Sequence, residues 1–126
     1  MSAERPDPGI ADGALEPLVR RLRDFARARD WEQFHSPKNL AMALIVEAAE
    51  LVEHFQWLTQ EQSMQLPADK LAAVEQELAD IFIYLIRISD RLGVGLVDAA
   101  WRKIEINERR YPADKVRGRA DRPRDT

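Results

Sequence analysis

The sequence predicts an all-α protein, a four-helix antiparallel bundle that assembles as a homo-oligomer. Apolar residues recur at helical spacing in four segments, and no segment alternates in the manner of a strand. Short stretches containing proline or glycine separate these segments, so the links between helices are expected to be short. Residues 40–57 are apolar on nearly every side, which is typical of a helix buried all round. In a bundle of this size such burial requires a second subunit.

Composition limits the number of domains and excludes several classes of function. The chain has 126 residues, which suits one domain with a substantial core. Its 19 basic and 22 acidic residues give a net charge of −3, so binding to nucleic acid or to a membrane surface has no electrostatic basis. The absence of cysteine excludes disulfides and thiolate metal sites. With no signal-like N-terminus and no uninterrupted apolar run, we expect a cytoplasmic protein without a membrane segment.

Proline, glycine and capping residues set the expected boundaries. We expect one helical domain over residues 14–112, with flexible tails at 1–13 and 113–126. The first helix should run over residues 14–30. Ser36 followed by Pro37 is a favourable helix start, so the second helix should run from there to about Trp57.

The second half of the domain is expected to hold two further helices. The third should cover residues 71–92, where apolar residues repeat with heptad-like spacing, and Gly93 should end it. The fourth should run from Leu96 to Tyr111, since Pro112 cannot continue it.

Two pairs of acidic residues interrupt the apolar helices. Glu47 and Glu50 lie one turn apart on the second helix, and Glu77 and Asp80 repeat this spacing on the third. An ionised carboxylate on a core-facing line costs roughly several kcal/mol unless a positive charge meets it. If the helices pack side by side, the four groups converge on a divalent cation. An all-oxygen ligand set favours Mg²⁺ or Mn²⁺ over zinc.

Other interpretations of these acidic pairs stay open. A single pair is most often a solvated helix face, and a polar layer or regulatory metal site in a non-catalytic oligomeric module is the main alternative for both pairs together. A di-iron bundle would need Glu-x-x-His on two helices, whereas the third-residue partners here are Glu50 and Asp80. His54, one turn after Glu50, would be at most a stray ligand.

Polar and aromatic side chains at helix ends indicate what such a metal would serve. A polar ridge suited to phosphate oxygens, or alternatively a solvated basic face, is formed on the fourth helix by Lys103, Asn107, Arg110 and Tyr111. Aromatic residues near helix ends are either partly buried anchors or a stacking slot for a base; they are Trp31, Phe34, His35 and Trp57. Tyr84, one turn beyond Asp80, should face the same cavity.

These residues together carry a family resemblance over about residues 22–112. The pattern EAAE at 47–50 and ELAD at 77–80, with the flanks DWEQFHSPKNL, FQW, DIFIYL and KIEINERRYP, resembles the MazG-like all-α nucleoside triphosphate pyrophosphohydrolases. The chain is most similar to the dCTP pyrophosphatase branch of that family. One departure is that Val46 and Ala49 stand where that branch tends to have glycines, which leaves the base preference open.

The resemblance implies Mg²⁺-dependent hydrolysis of a nucleoside triphosphate to a monophosphate and pyrophosphate, as house-cleaning of dCTP or modified pyrimidine nucleotides. It implies a homo-dimer or homo-tetramer whose neighbouring subunits complete each site. The implied metal ligands and catalytic residues are Glu47, Glu50, Glu77 and Asp80, and we expect Glu50 to orient the attacking water as a base. The implied substrate-binding residues are Trp31, His35 and Trp57 around the base, Tyr84 near the sugar or base, and Lys38, Lys103, Asn107, Arg110 and Tyr111 at the phosphates.

Overall fold

Helices make up the regular structure of the chain, which a computed structural model describes from residue 8 to residue 120, with side chains from Gly13 onward. In chain order the helices are α1 (Pro8–Ala28), α2 (Pro37–Glu53), α3 (Gln60–Ser63), α4 (Ala68–Leu92), α5 (Leu96–Arg110) and α6 (Ala113–Val116), with a 3-10 turn at Glu32–Phe34. No strand occurs within this described region. The all-α prediction is therefore confirmed, whereas the four-helix bundle stays a prediction.

The chain divides into two compact units. One is Glu16–Val94, and the other combines the residues up to Leu15 with those from Gly95 onward. Within the first unit α2 packs against α4, and its buried apolar side chains are Ala26, Leu40, Val74 and Ile86. None of the described helices has the length and apolar character that crossing a membrane requires.

Two predicted helix boundaries are confirmed by their capping geometry. The Ser36 hydroxyl accepts a hydrogen bond from the Asn39 backbone N–H at 3.1 Å, and Pro37 is the first residue of α2. The missing N–H of a proline costs nothing there, because the first backbone donors of a helix have no partner within it. At the end of α4, Gly93 adopts a left-handed φ of 69°, which a glycine reaches without steric cost.

Other boundaries differ from the prediction. α1 begins at Pro8 rather than residue 14, because a proline is tolerated at the first helical position and need not mark a tail. α2 ends at Glu53 rather than near Trp57, where the His54 N–H turns back to the Leu51 carbonyl and tightens the last turn. The predicted C-terminal tail contains the short helix α6. The remaining tail residues, 1–7 and 121–126, lie outside the described residues.

One face of α2 is left exposed by the part of the chain that the structure describes. Met42, Ile45 and Val52 are 58%, 66% and 58% exposed, and Leu40 is the buried residue of this helix. A row of exposed apolar side chains on a helix is typical of an interaction surface.

Candidate active site

Three carboxyl groups from two helices meet at the packed face between α2 and α4. One oxygen each from Glu47, Glu77 and Asp80 lies within 4.8 Å of the others. Glu77 and Asp80 are one turn apart on α4 and so share a face, and the packing of α2 brings Glu47 to that face. The contact predicted between the two acidic pairs is therefore present for these three side chains.

The carboxyl groups of this cluster repel one another, and two of their oxygens lack a donor among the described residues. Burial, contacts with the Glu77 and Glu50 carboxyls, and the charges of Glu50 and Asp80 raise the pKa of Glu47 to about 7. The Oε2 atoms of Glu47 and Glu77 are buried and have no hydrogen-bond partner among the described residues. Buried carboxylate oxygens without a donor are unfavourable, so the cluster is suited to receive a cation.

The donor set suits a hard divalent cation. All three groups offer carboxylate oxygens, the ligands that Mg²⁺ and Mn²⁺ accept, and the two unpartnered oxygens are available for coordination. Glu50, the fourth predicted ligand, is not among these three. It lies one turn further along α2 and acts on Glu47 through its charge and a side-chain contact.

A histidine and a lysine support Glu77 from outside the cluster. The Nε2 atom of His54 lies 3.7 Å from Oε1 of Glu77, and Nζ of Lys70 lies 3.5 Å from Nδ1 of the same imidazole. An ammonium group can only donate, so this contact is a hydrogen bond only when Nδ1 carries no hydrogen, which leaves the ring hydrogen on Nε2, the atom nearest Glu77. His54 therefore lies beside one of the three clustered carboxylates and can orient it.

Tyr84 lies one turn beyond Asp80 on α4. Burial and the negative charges of Glu47 and Asp80 raise the pKa of its hydroxyl. The charges of Glu47 and Asp80 therefore act on this hydroxyl, and its place near the sugar or base stays a prediction.

The segment before α2 carries two of the predicted base-pocket residues. Trp31 packs edge-on against Phe25 with ring centroids 5.7 Å apart, and its ring lies 6.2 Å from that of His35. The Asn39 side chain donates to the Phe34 carbonyl at 2.9 Å and, with the Ser36 cap, fastens this segment to α2.

Two other residues predicted to bind substrate are exposed in the part of the chain that the structure describes. Lys38 is exposed, and Trp57 is 87% exposed, so the described chain alone does not enclose the indole.

The four polar residues predicted on the last helix are brought together. They line a cavity of about 470 Å³ in the unit that contains α5; its lining residues are Lys103, Asn107, Arg110, Tyr111, Val116, Arg119 and Ala120. The α6 segment and the residues after it add a further arginine to this cavity.

Comparison with known proteins assigns the chain to a family. The sequence profile of the MazG-like family matches residues 42–125, two thirds of the chain. The chain belongs to the MazG-like family. The predicted resemblance is thereby confirmed.

Relatives and a solved structure agree with this assignment. In an alignment 131 residues long, this MazG-like chain is 40% identical to dCTP pyrophosphatase 1 of Mus musculus. The alignment covers 99% of this chain and 77% of that one. It is 42% identical over 122 residues to dCTP pyrophosphatase 1 of Bos taurus, covering 94% and 72%. A pyrophosphatase crystal structure from Archaeoglobus fulgidus superposes with a TM-score of 0.75 at 34% identity, over 89% of this chain and 99% of that one. The predicted enzyme class, a nucleotide pyrophosphohydrolase, is confirmed.

Sequence reasoning missed three side chains around the site of this MazG-like chain. They are Lys70, which contacts His54; Arg87, which contacts His35; and Asp90, which contacts Arg87. A signal existed for Arg87, because a charged residue inside the apolar run IFIYLIRIS is out of place. Lys70 gave no signal in the sequence. Its partner His54 lies at the C-terminal end of α2, and only the fold brings the two side chains together.

Proposed function

We propose that this chain is a Mg²⁺-dependent pyrophosphohydrolase that acts on dCTP or a related, possibly modified, pyrimidine deoxynucleoside triphosphate. The observation that carries the proposal is the group of three carboxylates within 4.8 Å, two of them with a buried oxygen that lacks a partner. The naming of relatives at 40% and 42% identity as dCTP pyrophosphatases supports the choice of substrate.

The proposed reaction is the attack of water on the α-phosphorus. Glu47, Glu77 and Asp80 would hold the ion, and Glu50 would complete the ligand set or accept the proton of the attacking water. The bound Mg²⁺, or Mn²⁺ in its place, would supply Lewis-acid chemistry by polarising the α-phosphate and lowering the pKa of a water. The bond between the α-phosphorus and the bridging oxygen breaks, so pyrophosphate leaves and the water oxygen becomes part of the monophosphate.

The remaining predicted residues would bind the substrate. We place Trp31, His35 and Trp57 around the base and Tyr84 near the sugar or base, since aromatic side chains provide stacking surfaces. Cationic and polar side chains would offset the negative charge of the leaving pyrophosphate; they are Lys38, Lys103, Asn107, Arg110 and Tyr111. The cavity that the last four share supports their grouping.

We also propose a homo-dimer or homo-tetramer that assembles through the outer face of α2. Met42, Ile45 and Val52 on that face are more than half exposed in the single chain, an unfavourable arrangement for an isolated subunit. The neighbouring subunit would cover this face and complete the site, including the environment of Trp57. We propose a cytoplasmic enzyme. We propose no nucleic-acid or membrane partner, because its charge is nearly balanced.

The decisive experiment is a panel of common and modified nucleoside triphosphates scored by pyrophosphate release. We expect dCTP or a modified relative to be hydrolysed with Mg²⁺ and not with EDTA. Glu47→Gln and Asp80→Asn should each reduce the rate by at least about 100-fold, because each removes a metal ligand. Glu53→Gln, an exposed position on the same helix, is the matched control and should retain full activity.

Two outcomes would contradict the proposal. Hydrolysis that persists in EDTA, or in Asp80→Asn, would remove the metal from the mechanism. If no nucleotide is hydrolysed although Mg²⁺ still binds, the non-catalytic module with a regulatory metal site becomes the better interpretation.

A further inference from the structure

A buried arginine stands against the histidine that precedes α2. Arg87, on α4, is 4% exposed, and its Nη2 atom lies 3.4 Å from Nδ1 of His35. Its Nη1 atom lies 3.4 Å from Oδ2 of Asp90, one turn further along α4. Asp90 is held in turn by Arg23 of α1, whose Nε donates to the same Oδ2 atom at 2.8 Å. A chain of four side chains therefore connects α1 to His35.

The hydrogen-bonding roles in this chain follow from the chemistry of the guanidinium group. Arginine has only N–H donors, so the contact with Nδ1 is a hydrogen bond only when Nδ1 carries no hydrogen. In the neutral ring the single hydrogen then lies on Nε2. Arg87 thus selects one of the two tautomers of His35 and leaves the other ring nitrogen as a donor.

We propose that Arg87 is a positioning residue that holds His35 as the neutral Nε2–H tautomer, so that this ring presents a hydrogen-bond donor to an acceptor atom of the nucleotide base. The acceptor class is a carbonyl oxygen or an unprotonated ring nitrogen. The role of His35 toward the base rests on the proposed function, whereas the control of its tautomer by Arg87 does not.

Stability alone does not account for Arg87. Burying a guanidinium group carries a desolvation penalty, and that burial lowers the pKa of Arg87 despite the opposing charge of Asp90. Its Nε atom is buried without a hydrogen-bond partner among the residues described. Asp90 already has Arg23 as a partner, so it does not require a second arginine. A costly and incompletely satisfied cation is better explained by what it does to His35.

The surroundings of His35 also favour its neutral form. Burial and the positive charges of Arg87 and Arg91 lower the pKa of the ring, and the charge of Glu32 opposes them only in part. Arg91 in addition donates to the His35 carbonyl at 3.1 Å and fixes the backbone there. At neutral pH the ring is therefore an uncharged donor rather than a second cation beside the base.

The test is the ring ¹⁵N spectrum of the full-length protein labelled on histidine. The chain has 2 histidines, so a His54→Gln variant assigns His35. We expect an unprotonated Nδ1 and a protonated Nε2 for His35 at neutral pH, with a pKa below the ordinary value. A hydrogen on Nδ1, or an even mixture of tautomers, in the wild-type protein would overturn the proposal, and this measurement needs no substitution at Arg87.

Variants at Arg87 give the second measurement. Arg87→Gln removes the charge, so the pKa of His35 should rise by about half a unit or more, since a like charge disfavours the protonated ring. Arg87→Lys retains the charge and a donor and should restore most of the wild-type value. Arg21→Gln, an exposed arginine of α1, is the matched control and should leave the ring unchanged. An unchanged pKa and tautomer in folded Arg87→Gln would contradict the proposal.

Nucleotide turnover separates this inference from the proposed function. We expect Arg87→Gln to raise KM for the preferred nucleotide about tenfold while kcat changes little, and Arg87→Lys to recover most of that loss. If the ring spectrum is as expected but no nucleotide is hydrolysed, the proposed function fails and the coupling between Arg87 and His35 stands. If dCTP is hydrolysed but the tautomer is the opposite one, the inference fails and the enzyme assignment stands.

Discussion

Arg23 and Asp90, 67 positions apart in the chain, form a bidentate ion pair between α1 and α4. Nε of the guanidinium donates to Oδ2 at 2.8 Å, and Nη2 donates to Oδ1. The Asp90 side chain is 12% exposed, so this pair is better protected from solvent than the other ion pairs of α1. It fixes the helix that precedes the site to the helix that carries two of the three clustered carboxylates.

The first prediction concerns this pair. Asp90→Asn should lower the free energy of unfolding by about 3 kcal/mol at pH 7, because it leaves the buried Arg87 without a counter-charge. Hydrogen bonds from Arg23 lower the pKa of Asp90, so its stabilising contribution is present above the unfolded pKa and is lost as the pH falls through the folded pKa. The difference between wild type and variant should therefore shrink below about pH 4 in chemical denaturation.

An exposed ion pair on the same helix provides the control. Arg20 and Glu16 are joined at 3.0 Å, with side chains 73% and 48% exposed. Glu16→Gln should change the free energy of unfolding by at most about 0.5 kcal/mol. An equal loss in both variants would contradict the importance of burial for the Asp90 pair.

The second prediction concerns pH and the metal-free protein. The pKa of Glu47 is raised to about 7, so the folded chain binds a proton that the unfolded chain has already released. Stability in EDTA should then fall as the pH rises from about 5 to about 8. Saturating Mg²⁺ should remove this decline, since a cation takes the place of the proton. The measurement is the thermal unfolding midpoint across this range, with and without Mg²⁺.

Two variants sharpen this prediction. Glu47→Gln should raise the melting temperature in EDTA at pH 8, because it relieves the repulsion, and should abolish the pH trend. Glu53→Gln should keep the trend. A Glu47→Gln protein that is less stable than wild type in EDTA would show that the carboxylate serves the fold rather than a cation.

The third prediction concerns the support of Glu77. His54→Gln and Lys70→Gln should each weaken Mg²⁺ binding about tenfold in calorimetric titration, because the contact that orients Glu77 is lost or loosened. His35→Gln is the matched control, since that histidine contacts Arg87 instead. Equal Mg²⁺ affinities in all three variants would mean that His54 has no part in the metal site.

The fourth prediction concerns assembly. Ile45→Glu and Val52→Glu should convert the oligomer to monomers in sedimentation velocity, because each places a charge in the proposed contact between subunits. Pyrophosphate release should fall in parallel if a neighbouring subunit completes the site. Met64→Glu, at an 83% exposed position directly after α3, should leave the mass of the oligomer unchanged. A wild-type chain that is monomeric at micromolar concentration would contradict the proposed oligomer.

Local signals predicted the elements better than the contacts between them. The Ser36 cap and the left-handed Gly93 are properties of a few neighbouring residues, so the sequence located both boundaries. The predicted tail at residues 1–13 overlaps α1, which begins at Pro8, because proline both begins helices and breaks them.

The site was predictable only where it follows helical spacing. Glu77 and Asp80 lie one turn apart and could be paired from the sequence, and the Glu-x-x-Glu repeat on the other helix pointed to Glu47. By contrast, the contact of Arg87 with His35 spans 52 positions and depends on how α4 meets the segment before α2. No periodicity encodes such a contact.

The fastening of the Trp31–His35 segment to α2 has a consequence for how substrates are distinguished. The Asn39 backbone N–H donates to the Ser36 hydroxyl, and the Asn39 side chain donates to the Phe34 carbonyl, so two hydrogen bonds join the segment to α2. Glu47 lies about 15 Å further along that same rigid helix, at roughly 1.5 Å per residue from Pro37. Under the proposed assignment, helix α2 sets the distance between the base and the cleaved bond. A nucleotide of a different length would therefore place a different atom at the metal.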